Sequence, residues 1–200
     1  MNNAAALYFR DEFGQSTEAA SAIAAIFGWL NLFARGLGGF ASDACNYRNG
    51  MRGRIVVHTI FLLFEGIMVF AFSSTSTLAG SILCLVVFSI FVQAAEGSSY
   101  AIVPYVDPPN MGSVSGIIGA GGNVGAVGFG FCFRQLNYST AFDIMGFSII
   151  ASSLLSALIN IHGYTTMLGG KERRVDKETG VIVKKILPPA EHVGETVEVA

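Results

Sequence analysis

Apolar residues run through this chain in long blocks separated by short polar stretches. A block of about 20 apolar residues, wound as a helix, matches the roughly 30 Å hydrocarbon core of a bilayer. The pattern predicts five such helices, over about residues 21–42, 55–72, 78–103, 112–133 and 141–161. Residues 1–9 read as the end of a further helix, with Met1 an internal methionine of a longer protein, because the apolar piece 4–9 is too short to span. Residues 10–20 form a polar loop, in which Ser16 or Thr17 is placed to cap the next helix. Pro104 ends the third span, and the double proline at Pro108 and Pro109 makes the turn before the fourth. Residues 162–200 are a charged tail; a hairpin around Thr179 and Gly180 is one reading, and disorder is the favoured one.

Composition supports the membrane reading. The chain is 52% hydrophobic and 13% charged, against about 25% charged in an ordinary soluble domain. Six of the twelve basic and six of the fourteen acidic residues follow residue 170, so the spans are poorer still in charge. The expected class is an all-α transmembrane protein. No broad basic surface points to nucleic acid. Cys45, Cys84 and Cys132 are scattered small fillers, and His58, His162 and His192 are isolated surface or interfacial residues. Neither metal spacing nor a nucleophile–base pair is visible, so no cofactor and no enzyme activity is expected. The cluster Arg48, Arg52 and Arg54 marks a loop over residues 43–54 as cytoplasmic, and Lys171, Arg173 and Arg174 put the tail on the same side. The sequon at Asn137 lies too near the bilayer for modification.

Few polar groups fall inside the spans, and each needs a reason. Arg35 costs roughly 2.5–3.5 kcal/mol in a helix centre even on lenient scales, so it faces a partner or a wet cavity, or else snorkels to the membrane edge. Asn31 is four residues before it, on the same face, with Gly28 close by. Glu65 and Glu96 are the carboxylates deep in spans; they are candidates for carrying protons, or structural partners that hold Arg35 or a backbone group. Asp43 stands where one helix ends and the arginines stand where the next begins, so an ion pair there would pin two helices together.

The fourth block, GSVSGIIGAGGNVGAVGFG over residues 112–130, is dense in glycine and holds one amide, Asn123. Ladders of small residues four apart run along it, as at Gly112, Gly116 and Ala120 and at Gly121 and Gly125. Such ladders let neighbouring helices approach closely, or expose backbone to a cavity. A dinucleotide-binding loop is excluded, because the flanks are membrane-length apolar runs rather than a strand and a βαβ unit.

Three segments resemble the nitrate/nitrite porter family of the major facilitator superfamily, in its eukaryotic high-affinity branch. They are GAGGNVG at 119–125, FARGLGGFASD at 33–43 followed by GMRGR at 50–54, and AEGSSYAIVPYVDP at 95–108. The resemblance implies that this is the C-terminal half of a twelve-helix bundle, with the five spans as helices eight to twelve and an N-terminal half elsewhere. It implies that Arg35 binds nitrate or nitrite, and that Gly121, Gly122 and Asn123 line the path; Asn31, on the Arg35 face by spacing, is a further candidate for binding the anion. It assigns Gly39, Asp43, Arg52 and Arg54 to a cytoplasmic gating motif. It further implies proton-coupled symport at the plasma membrane by alternating access, serving nitrate assimilation, and in some members a small single-span accessory protein. The alternatives are a porter for another small solute, or a non-transporting membrane interaction protein.

Overall fold

The computed structural model describes residues 2–169, 173–175 and 182–184. Six helices follow in order: α1 Asn2–Phe13, α2 Thr17–Asn49, α3 Met51–Ser73, α4 Leu78–Val106, α5 Met111–Gln135 and α6 Tyr138–Ser156. A single 3₁₀ turn, Pro108–Asn110, links α4 to α5. Five of the six, α2 to α6, are long and apolar enough to cross a membrane. In the tail, strand β1 (Arg173–Val175) pairs antiparallel with β2 (Ile182–Lys184), Arg174 opposite Val183. Residues 170–172, 176–181 and 185–200, on which the reading of a hairpin turn or of disorder falls, lie outside the described residues.

The helix limits follow local chemistry. Ser16 caps α2, its hydroxyl accepting the Ala19 N–H at 3.2 Å. At 33 residues, α2 runs about 50 Å, well past a 30 Å core. The stretch 43–49, expected as a loop, is therefore a helical extension: it is polar but holds no breaker until Gly50. Gly50 has φ 62° and ψ −154°, a conformation that favours glycine, and its N–H closes on the Asn46 carbonyl. The loop there shrinks to this one residue. Pro104 does not end α4 either, since the helix continues to Val106. A proline in a last turn forfeits only its bond to the carbonyl four residues back. The last helix is shorter than expected and stops at Ser156; turns at Leu158 and Ile159 then fold the chain back.

Glycine permits the closest helix contacts. A Cβ on Gly97 would collide with the Arg35 carbonyl oxygen, and one on Gly38 with the Ala94 backbone, so α2 and α4 cross almost backbone to backbone. Gly66 and Gly146 do the same for α3 and α6, where a Cβ on Gly66 would lie 2.6 Å from Ile150. Two apolar clusters close the ends. One gathers Tyr8, Phe9, Phe72, Phe88, Phe142 and Met145, with Tyr8 making edge contacts to Phe9, Phe13, Tyr138 and Phe142. At the other, Ile161 of the folded-back segment packs on Met51, Ile55 and Ile102.

Candidate functional site

The close crossing of α2 and α4 positions a polar cleft. Because Gly97 lets α4 lie against the backbone at Arg35, the side chains one step away, Glu96 and Tyr100, reach the Arg35 side chain. Arg35 Nη2 pairs with Glu96 Oε1, and the guanidinium carbon stands 5.7 Å from the Tyr100 ring centre. Arg35 Nε is buried and unpartnered. Gly28, Asn31, Leu32, Arg35, Gly36, Gly97 and Tyr100 line a cleft of about 710 Å³. Both ionic side chains stay about two-fifths exposed, at 42% and 41%. The geometry thus offers a planar, charged set of donors on the Nη side of Arg35, beside an amide and an aromatic face. Such donors suit a planar oxyanion.

A second polar cluster lies further along the same helices. The Arg54 side chain is 7% exposed and pairs with Asp43 at 2.6 Å. Its other donors reach Ser42 Oγ and Tyr105 Oη, each at 3.3 Å, and its guanidinium carbon stands 5.0 Å from the Tyr105 ring centre. One arginine of α3 so ties α2 to α4. Arg52 and Arg48 are exposed and take no part. Gly39 also sits apart from this cluster, at the α2–α4 crossing beside Gly97.

Glu65 and Glu96, alike in sequence, are placed differently. Glu96 holds Arg35. Glu65 lines a separate cavity of about 640 Å³ among Phe27, Phe88, Val92, Phe129, Phe133 and Met145, and no hydrogen bond or ion pair reaches its carboxylate among the described residues. His58, expected at a surface or interface, is instead buried in α3. Ser98 takes its Nδ1 at 2.9 Å and Ser99 stands at 3.5 Å, which satisfies a ring that would otherwise be costly to bury. His162 is exposed, and His192 lies outside the described residues.

The glycine helix α5 gives the largest surprise. None of its residues is buried. A Cβ built on Gly112, Gly116, Gly119, Gly121, Gly122, Gly125, Gly128 or Gly130 meets nothing within 4 Å. Its small-residue ladders therefore pack on no helix among the described residues. Gly121, Gly122 and Asn123 are exposed and line neither cleft; only Ala126, Phe129, Gly130 and Phe133 of this helix reach the Glu65 cavity. So Arg35 and Asn31 come together, and Gly121–Asn123 stay apart from them. Tyr100 and Tyr105 escaped the sequence reading. The available signal was spacing: Tyr100 follows Glu96 by one helical turn and shares its face.

Among the described residues no group of His, Cys, Asp and Glu is placed to hold a metal. No protein-family model matches the chain, and no solved structure gives a significant match. Curated relatives do. High affinity nitrate transporter 2.5 of Arabidopsis thaliana is 39% identical over 182 residues, 89% of this chain and 36% of that protein. High affinity nitrate transporter 2.7 of the same plant is 45% identical over 126 residues, 63% of this chain and 26% of its own length. Elsinochrome transporter 1 of Elsinoe fawcettii, with a different name, is 32% identical over 80% of this chain and 32% of its own length. The chain spans about a third of the length of these relatives. With five membrane-capable helices, an all-α half-bundle and these likenesses, the chain belongs to the nitrate/nitrite porter family of the major facilitator superfamily.

Proposed function

We propose that this chain forms the C-terminal half of a nitrate transporter that also accepts nitrite, and that it works with an N-terminal half to carry the anion by alternating access. The observation that carries the reading is the Arg35 guanidinium, held near the middle of a membrane-length helix at the wall of an open polar cleft. Nitrate is planar and monovalent, and a guanidinium presents coplanar donors that an ammonium lacks. The nitrate transporters named above support the substrate class. Gly121, Gly122 and Asn123 belong, in this reading, to the wall that α5 turns toward the other half, and Asn31 to the floor beside Arg35. The Arg54–Asp43–Tyr105 cluster acts, in this reading, as the cytoplasmic gate through its ion pair between helices, with Gly39 at the α2–α4 crossing and the exposed Arg52 as further parts of the same motif. Uptake is proton-coupled, at the plasma membrane, with the tail in the cytoplasm, and it feeds nitrate assimilation; a single-span accessory protein is a partner to be tested for.

The test is nitrate uptake by the full-length protein carrying Arg35→Lys. A rise in KM of about tenfold or more is expected, the equivalent of losing about 1.4 kcal/mol of binding. Uptake with unchanged affinity and rate would remove Arg35 from the site. Competition with nitrite, chlorate and an uncharged solute separates this reading from a porter for another substrate.

A further inference from the structure

The anion site of the proposed transporter is already filled, by a side chain. We propose that Glu96 is the resident counter-anion of Arg35: the oxyanion enters by taking its place at the guanidinium, and the released carboxylate takes up a proton. The inference rests on the anion reading of this cleft. It deepens that reading by naming the residue that links anion binding to proton uptake.

Three observations lead here. First, Arg35 gives Nη2 to Glu96 while its buried Nε has no partner. The Nε is closed off from solvent, so an entering anion meets the guanidinium on its Nη side, where Glu96 sits. Second, Arg35 lines the cleft and both side chains are about two-fifths exposed rather than sealed in a packed core, so either can move without opening the fold. The Gly97 contact fixes the backbones of α2 and α4 but leaves the side-chain pair free. Third, charge balances. Arginine and glutamate together are neutral; so are arginine, a monovalent anion and a protonated glutamic acid. Without the proton, the site would hold two negative groups against one positive group, and the like charges would repel. The proton comes from a hydronium ion of the solvent: its O–H bond breaks as the carboxyl O–H forms, and a neutral water is left.

The neighbours leave Glu96 to this pair. From α2, Arg35 is the charged group in contact with it; Asp43, further along, is taken by Arg54 of α3. From α3, His58 bonds Ser98 and Ser99, and Glu65 opens into the other cavity. Helix α5 carries Cys132 and Arg134 near its far end and has no other titratable side chain. On α4 itself, Tyr100 lies against Arg35. Glu65, by contrast, has no cationic partner to give up, so an arriving anion does not change its pairing.

Two measurements on the full-length protein test the exchange. Nitrate binding to the purified wild type, measured by calorimetry in buffers of different ionisation enthalpy, should show close to one proton taken up per anion bound. Nitrate uptake by Glu96→Gln should have a KM independent of pH between about pH 5 and pH 8, where the wild-type KM rises with pH. At the alkaline end the variant should bind about tenfold more tightly, the glutamine being a weaker competitor for Arg35. It should also fail to concentrate nitrate against a gradient. Anion binding without proton uptake, or a Glu96→Gln profile that follows the wild type, overturns the exchange and leaves the anion site standing. A wild type that binds neither nitrate nor nitrite overturns the anion reading itself, and this inference with it. The calorimetric arm needs no variant, so loss of the mutant from the membrane does not remove the test.

Discussion

Arg54 and Arg52 are two residues apart, carry the same charge and have opposite fates. Arg54 is buried against Asp43, Ser42 and Tyr105, whereas Arg52 is exposed. Removing one member of a buried pair leaves the other charge uncompensated, which typically costs about 3–5 kcal/mol; the exposure of Asp43, 66%, lets water replace part of it. Asp43→Asn is therefore expected to destabilise the protein in detergent by about 1–2 kcal/mol, read as a lower Tm, while Arg52→Gln stays within about 0.5 kcal/mol of wild type. Equal effects from the two would contradict the geometry. At the opposite end, Asp11 accepts from Arg10 at 2.8 Å and from Tyr138 at 2.7 Å. The hydrogen bond from Arg10, then that from Tyr138, holds its carboxyl below the usual carboxylate range. A lowered folded value means that the stabilisation is complete above the unfolded value and fades as pH falls through the folded one. The α1–α6 tie should thus persist at pH values that protonate an ordinary aspartate. Tyr138→Phe should raise the Asp11 pKa toward normal, seen by carboxyl-carbon NMR titration; an unmoved titration would mean that the hydroxyl contributes nothing.

Glycine plays two unlike parts at the level of helices. On α2 and α4 it is a spacer with no room to spare, and on α5 it is open. Gly97→Ala places a methyl against the Arg35 carbonyl, which is backbone and cannot rotate away. Overpacking of this kind costs about 1–3 kcal/mol. The expected result is a lower Tm and weaker nitrate uptake together, since the same displacement moves Arg35. Gly119→Ala meets nothing within 4 Å and should leave Tm unchanged or slightly raised, alanine being the better helix former by about 1 kcal/mol. Thermal unfolding of both variants checks the contrast. Sequence spacing pointed to α5 as the helix of ladders, and the tightest contacts lie elsewhere. The reason is physical: a small residue permits close approach but does not supply the partner, and only the fold tells which glycine meets a backbone. Arg35 was legible because charge inside a span must be answered, Asn31 because it shares the Arg35 face, and the Asp43–Arg54 pair because opposite charges stand at adjoining helix ends. The extension of α2 through residues 43–49 and the continuation of α4 past Pro104 were not, because a polar run is not a loop and a proline in a last turn breaks only one bond.

At the scale of the molecule, every long helix has exposed apolar side chains, α2 and α5 among them. Trp29, Leu32, Phe33 and Phe40 on α2, and Ile117, Val124, Val127 and Phe131 on α5, are large, apolar and exposed. Lipid covers such residues as well as protein does, so apolarity alone does not say which neighbour each face has. Asn123 helps to separate the two on α5. An amide facing hydrocarbon has unsatisfied donors, which is costly; one facing a wet path or a second half is satisfied. The expectation is that α5 turns Asn123 toward the anion path of the assembled transporter. In a background with Cys45, Cys84 and Cys132 replaced, Asn123→Cys should react with a charged, membrane-impermeant thiol reagent, and nitrate should slow the reaction. Val124→Cys, one residue and about 100° further round the helix, should react more slowly with that reagent. Reaction of Asn123→Cys with only a lipid-soluble reagent, unaffected by nitrate, would put this face in lipid. The glycines around it would then be an adaptation of α5 to bending or to packing in the bilayer rather than to the passage of an anion.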